Sequence, residues 1–112
     1  MAHVVDIMEP FIVQPGTAPT KLFAGRGNVY AYSCFVAVRD MGDATYVGIG
    51  SINSQTDRLL GIGDWRQFEI PGMLVNVGKL FAISDFAASK PTLEVSGLFD
   101  SAASLTGTGG GT

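Results

Sequence analysis

The chain predicts an all-β fold: a small single-domain antiparallel β-sandwich, jelly-roll-like in plan, with a flexible Gly-rich C-terminal tail. Three observations predict it. Fifteen glycines and five prolines are spread along 112 residues, and no window of helical length keeps apolar residues at i, i+3, i+4 and i+7 without a breaker. Several short runs instead alternate at period two and are rich in aromatic and β-branched residues. Turn signals between these runs recur every 8 to 12 residues or so, the spacing of a sandwich or barrel.

The elements follow in order. Val4-Val5-Asp6-Ile7-Met8 is apolar and short and lies ahead of Pro10. Residues 1–10 therefore read either as a first strand or as an arm that adds to the sheet edge of a neighbour. Residues 11–100 form the sandwich domain. Phe11 to Gln14 and Lys21 to Phe23 are short strands separated by Pro15-Gly16-Thr17-Ala18-Pro19. Asn28 to Arg39 is the clearest strand, with Tyr32, Cys34, Val36 and Val38 expected to face inward. The opposite face carries Ser33 and Arg39 but also Phe35, so it is expected to pack on something else. Asp40-Met41-Gly42-Asp43 is a turn, and Arg39 to Gly50 reads as a hairpin whose second strand is Thr45 to Gly50. Ser51 to Asp57 is a polar loop. Trp65 to Ile70 is a strand that ends at the turn dipeptide Pro71-Gly72. A short strand over Leu80 to Ser84 follows Gly78. Thr92 to Phe99 sets Leu93, Val95 and Gly97 against Thr92, Glu94, Ser96 and Leu98, the pattern of a half-buried last strand. Residues 101–112 are small and polar and bury too little apolar area to offset chain entropy, so they are expected to be flexible.

Composition narrows the function. Hydrophobic residues make up 46% and charged residues 15%, against about 25% charged in an average domain. Either the turns are polar and uncharged, or part of the surface is covered by a partner, since interface cores are poor in Lys, Glu and Asp. The net charge is −3, and the seven Lys and Arg are scattered. Lys21/Arg26 and Arg58/Arg66 are too thin for the basic stripe that nucleic acid requires, so no nucleic-acid partner is expected. Cys34 is the single cysteine and reads as a small buried hydrophobe rather than a reactive thiol. The first residues lack a basic segment followed by a long apolar run, and no stretch nears 18 apolar residues. Neither a signal peptide nor a membrane partner is expected.

Catalytic chemistry is sought without success, and no enzyme activity, metal or cofactor is expected. His3 is the only histidine and lies near the N-terminal end, without the packed neighbours that hold a catalytic base. One Cys and one His do not make a usual zinc site. Asp40, Asp43, Asp57, Asp64, Glu69, Asp85, Glu94 and Asp100 are mostly placed where turns favour aspartate for local hydrogen bonds. Gly25-Arg26-Gly27-Asn28 and Gly61-Ile62-Gly63-Asp64 open no helix, as a phosphate loop would, and read as tight turns. Asn53 to Asp57 offers oxygens but one carboxylate, too little for calcium. Tyr30, Tyr32, Tyr46, Trp65, Phe68 and Phe81 are rings that fill a core or line a sugar-binding face. Trp65, between Asp64 and Arg66, is the ring best suited to anchor an interface. The candidate interface residues are Val4, Val5, Ile7, Met8, Phe11, Phe35 and Trp65.

An ordered series of short motifs carries a resemblance. It comprises Pro19-Thr20-Lys21-Leu22, Val36-Ala37-Val38, Tyr46-Val47-Gly48, the polar stretch Ser51 to Gln55, Gly61-Ile62-Gly63, Phe68-Glu69-Ile70 and Leu80-Phe81-Ala82-Ile83. From Gln14 to Phe99 the chain resembles a group of small β-sandwich structural proteins of tailed-bacteriophage virions. It departs from that group at Gly63-Asp64-Trp65-Arg66, where the group carries a Pro-Gly turn; here Pro71-Gly72 comes after the strand instead. The resemblance implies a virion structural protein, assembled in the host cytoplasm. The specific expectation is a homo-oligomeric capsid decoration (cement) protein bound across capsomers of the major capsid protein. Head-fibre or tail components belong to the same group, and the alternative is a tail- or fibre-associated module that recognises host-surface carbohydrate. No catalytic residues come with the resemblance.

Overall fold

Small and branched apolar residues at every second position place one face of each long strand against the other sheet. The computed structural model describes residues 5–86 and 88–100. His3, Val4 and the predicted tail 101–112 lie outside the described residues, as do the side chains of Val5 and Met8. The strands are β1 (Val5–Val13), β2 (Thr20–Lys21), β3 (Tyr30–Asp40), β4 (Val47–Ser51), β5 (Ser54–Leu59), β6 (Trp65–Phe68), β7 (Val75–Asn76), β8 (Phe81–Ser84) and β9 (Thr92–Asp100). The larger sheet has the order β1-β9-β3-β6, with β7 also paired to β3; the smaller has the order β2-β8-β4-β5.

This order is that of a jelly roll. With β7 set aside, β1 pairs β9, β2 pairs β8, β3 pairs β6 and β4 pairs β5, all antiparallel. These are the pairs of one long hairpin folded at Ile52-Asn53. Rolling that hairpin up brings β9 against β3 and β8 against β4 and divides the strands into two facing sheets. The sequence expectation of an all-β antiparallel sandwich is met.

Between the sheets, Val36, Val38, Leu93 and Val95 from the larger face Val47, Ile49, Leu59 and Ala82 from the smaller, and none of the eight is more than 1% exposed. Burying a Val, Leu or Ile side chain contributes about 1.5–3 kcal/mol, so this layer dominates the stability. The radius of gyration is 13.9 Å, close to the expected value of about 13 Å for a domain of this length.

Four expectations need correction. Arg39 to Gly50 is no hairpin: β3 and β4 lie in different sheets, and the turn at Asp40–Asp43 carries the chain from one layer to the other. Ser51 to Asp57 is not a loop, because Ser54–Leu59 is the outer strand of the smaller sheet. Its polar alternation marks an edge strand with one wet face. The short strand expected to begin at Phe11 starts at Val5 and runs to Val13 on β9. Tyr32 does not share the inward face of Cys34, Val36 and Val38. A bulge in the β3–β9 pairing between Ala31 and Ser33 inserts Tyr32 as an extra residue, so the buried set becomes Val29 and Ala31 before it and Cys34, Val36 and Val38 after it.

Gly97 makes that bulge possible. It pairs with Cys34, has φ +157°, and a Cβ there would stand 2.2 Å from the Ser33 carbonyl oxygen. No side chain fits. Gly50 meets a similar limit where β5 curls back: a Cβ would lie 2.0 Å from the Ser54 carbonyl oxygen.

Carboxylates tie the sheet connections. Asp64 accepts from the Leu60 and Gly61 amides at 2.8 and 3.1 Å, while its own carbonyl accepts from the Val38 amide at 2.9 Å. Asp85, after β8, accepts from the Thr45 amide at 2.8 Å, from the Thr45 hydroxyl and from the Tyr46 amide. These bonds hold the carboxyl below the usual carboxylate range. Asp40 accepts from the Gly42 amide at 2.9 Å. These three aspartates serve turn geometry, as their positions suggest. Asp57 differs: it lies in a strand and receives Arg66 Nε at 2.8 Å, linking β5 to β6 across the two sheets.

Candidate interaction face

Residues directly opposite in an antiparallel pair share a face, so the pairing defines the outer surface of the larger sheet row by row. One row reads Ile12, Glu94, Ala37, Trp65 from β1 to β6; a second holds Ser96, Phe35 and Gln67; a third holds Ile7, Leu98 and Ser33. With strands about 4.8 Å apart, each full row crosses roughly 14 Å.

Five large apolar side chains stand on this face and reach solvent. Ile7 is 84% exposed, Ile12 56%, Trp65 55%, Leu98 39% and Phe35 37%. They fall into groups: Ile7 beside Leu98 at one end, Phe35 beside Trp65 on the β3–β6 side, and Ile12 on the β1 edge. Phe35 and Trp65 touch at a ring-centroid distance of 5.8 Å and 44°. A polar strip separates the groups. In it Arg39 pairs with Glu94, Nε to Oε1 at 2.6 Å, and Gln67 Nε2 donates to Ser33 Oγ at 3.0 Å. Arg39 and Glu94 thus neutralise each other within the chain. Leu60 and Ile62, in the loop that enters β6, are 67% and 71% exposed and lead the chain to Trp65.

Exposed apolar side chains grouped on one sheet face around a polar strip fit an interaction site. Its aromatic pair and polar strip match the usual interface anatomy of ring anchors among satisfied polar groups. Ile7, Phe35 and Trp65 among the candidate interface residues meet on it. Phe11 does not: it is half-buried against the core and packs edge-on to Phe23 at 5.3 Å. Sequence reasoning did not nominate Ile12 and Leu98. The signal was present in Leu98, which alternates out of phase with Leu93 and Val95, but Ile12 sits in an unbroken apolar run where parity is hidden until pairing is known.

Cys34 and Tyr32 are held by the fold itself. Cys34 is fully buried, and burial alone pushes its thiol up to about 12, so it is neither a thiolate nor accessible. Tyr32 donates to Asp100 at 3.4 Å; burial and that carboxylate raise its phenol. Among the described residues no three His, Cys, Asp or Glu gather as metal ligands, and no helix is long and apolar enough to cross a membrane. No protein-family model, curated protein or solved structure matches the chain.

Proposed function

We propose that this protein is a virion structural protein, a capsid decoration protein that docks on the shell through the outer face of its larger sheet. The observation that carries the reading is the grouping of Ile7, Ile12, Phe35, Trp65 and Leu98 on one sheet face, around the matched Arg39–Glu94 pair. Two further points support it. The motif order resembles small virion sandwiches, and jelly rolls recur in viral capsid domains, although the fold alone hosts many functions.

The mechanism is clamping. Each anchor contributes about 1.5–3 kcal/mol when fully covered, while association costs at least about 4 kcal/mol in lost freedom. The five anchors together are of the same order as that cost, which reaches about 15 kcal/mol, and copies joined about a symmetry axis gain avidity. The test is cosedimentation of the purified protein with empty capsids. Saturation at a fixed copy number per shell supports the reading, and absence of binding by a folded protein overturns it.

Trp65 exposure also favours a second reading, a carbohydrate-binding module that stacks sugar on the indole. Trp65 is the only tryptophan, so its emission reports directly. A saturable shift with host-surface glycan, without capsid binding, selects this alternative.

A further inference from the structure

The two lateral sides of the sandwich are built differently. On the β5/β6 side the sheets are bridged by Arg66, which holds Asp57 and also donates to the Arg58 carbonyl at 3.2 Å. On the opposite side, where β1 and β2 are the outermost strands, no ion pair joins the layers among the described residues. A groove of about 510 Å³ opens there. Its walls include Phe11, Val13, Leu22, Phe23 and Phe99, and its polar lining includes Lys21 and Arg26 with no carboxylate. Neither cation has an ion-pair partner among the described residues. Arg39 and Arg66, in contrast, are each matched to an acid.

We infer that this groove is a docking site for an extended acidic-apolar peptide strand of a partner protein, which lies along the β1/β2 side and closes the sandwich. Three features point to a strand rather than a compact ligand. First, both flanking strands are outermost in their sheets among the described residues, and the backbone groups of such an edge template an added strand. Second, the groove lies against Phe11–Val13 of β1 and Thr20–Lys21 of β2 together, so a strand along it meets both edges. Third, an extended peptide alternates its side chains, so one set enters the apolar floor while the other meets Lys21 and Arg26 at the rim. Charge complementarity fixes the sign: the groove rejects a basic strand and accepts one carrying Asp or Glu. Glu9 and Pro10, beside the bulge between Met8 and Phe11, restrict pairing along β1 to Phe11–Val13, because proline lacks the donor. The inference is independent of whether the strand belongs to a shell protein.

The experiment uses the full chain, 15N-labelled, titrated with two acetylated and amidated heptapeptides, TVEVEVT and TVKVKVT, and with dodecanoate. Expected are saturable amide shifts at Phe11–Gln14 and Thr20–Ala24 with TVEVEVT and none with TVKVKVT. In the double variant Lys21→Glu/Arg26→Glu, both exchanges at the groove rim, affinity for TVEVEVT falls about tenfold and TVKVKVT gains it. The spectrum of the free variant confirms that it is folded. No shift with TVEVEVT, shifts mapping elsewhere, equal binding of both peptides, or saturation by dodecanoate alone each overturns the proposal; the last makes the groove an amphiphile site.

Discussion

Phe35 of β3 and Trp65 of β6 form a tilted ring pair, 5.8 Å between centroids, on the outer rather than the inner face of their sheet. Two large rings paired away from the core add little to folding. Truncating one of them separates interaction from stability. Trp65→Ala is expected to lower stability by about 0.5–1.5 kcal/mol, the value of an aromatic pair, as measured by urea unfolding. Capsid affinity is expected to fall by at least about tenfold. A stable Trp65→Ala protein that cosediments as the parent does removes this face from the interaction.

Gly97 carries a second prediction. Its φ of +157° and the 2.2 Å separation between a built Cβ and the Ser33 carbonyl leave no relaxed site for alanine. Gly97→Ala is expected to cost at least about 1–3 kcal/mol, seen as a lower urea midpoint. Because β9 is central between β1 and β3, amide exchange should accelerate in all three strands. An unchanged midpoint would mean that the bulge at Tyr32 is not required.

Much of the sandwich was legible because strand alternation is a local property. Val36, Val38, Leu93 and Val95 declare their inward face by period two alone, and Pro71-Gly72 declares its turn. What depended on pairing was hidden. The bulge at Tyr32 shifts the inward phase by one residue, and its cause, Gly97, lies far along the chain. The polar run Ser54–Leu59 is a strand because Val47–Ser51 offers it a partner; propensity alone reads it as loop. The candidate face was half legible for the same reason. Phe35 and Trp65 stood out as rings at odd positions, whereas Ile12 and Leu98 became surface residues only once β1 and β9 were in register.

Asp85 gives an acid-side prediction. Hydrogen bonds from Thr45 and Tyr46 lower its folded-state pKa, so its contribution is present above the unfolded carboxyl value of about 3.9. It is lost as pH falls through the folded value. Asp85→Ala is expected to lower Tm at neutral pH and to narrow the gap to the parent on acidification below about pH 4. A gap that stays constant on acidification would show that the lost bonds do not depend on ionisation.

Cys34 gives the opposite sign at the alkaline end. Burial raises the folded thiol to about 12, while the unfolded thiol ionises near about 8.5. Below the unfolded value both states hold the proton and the stability is fully present. As pH rises from there toward the folded value, only the unfolded chain releases the proton, and stability falls by up to about 1.4 kcal/mol per pH unit. Urea midpoints of the parent should drop steadily from about pH 8 to about pH 10. Those of Cys34→Ala should start lower, because Cys34 fills a fully buried core site, and then decline less steeply. The same burial makes the thiol react with a disulfide reagent only when the sandwich opens, at a rate that rises with urea. A parallel pH slope in the two proteins, or rapid labelling of the native parent, would place the thiol outside the core.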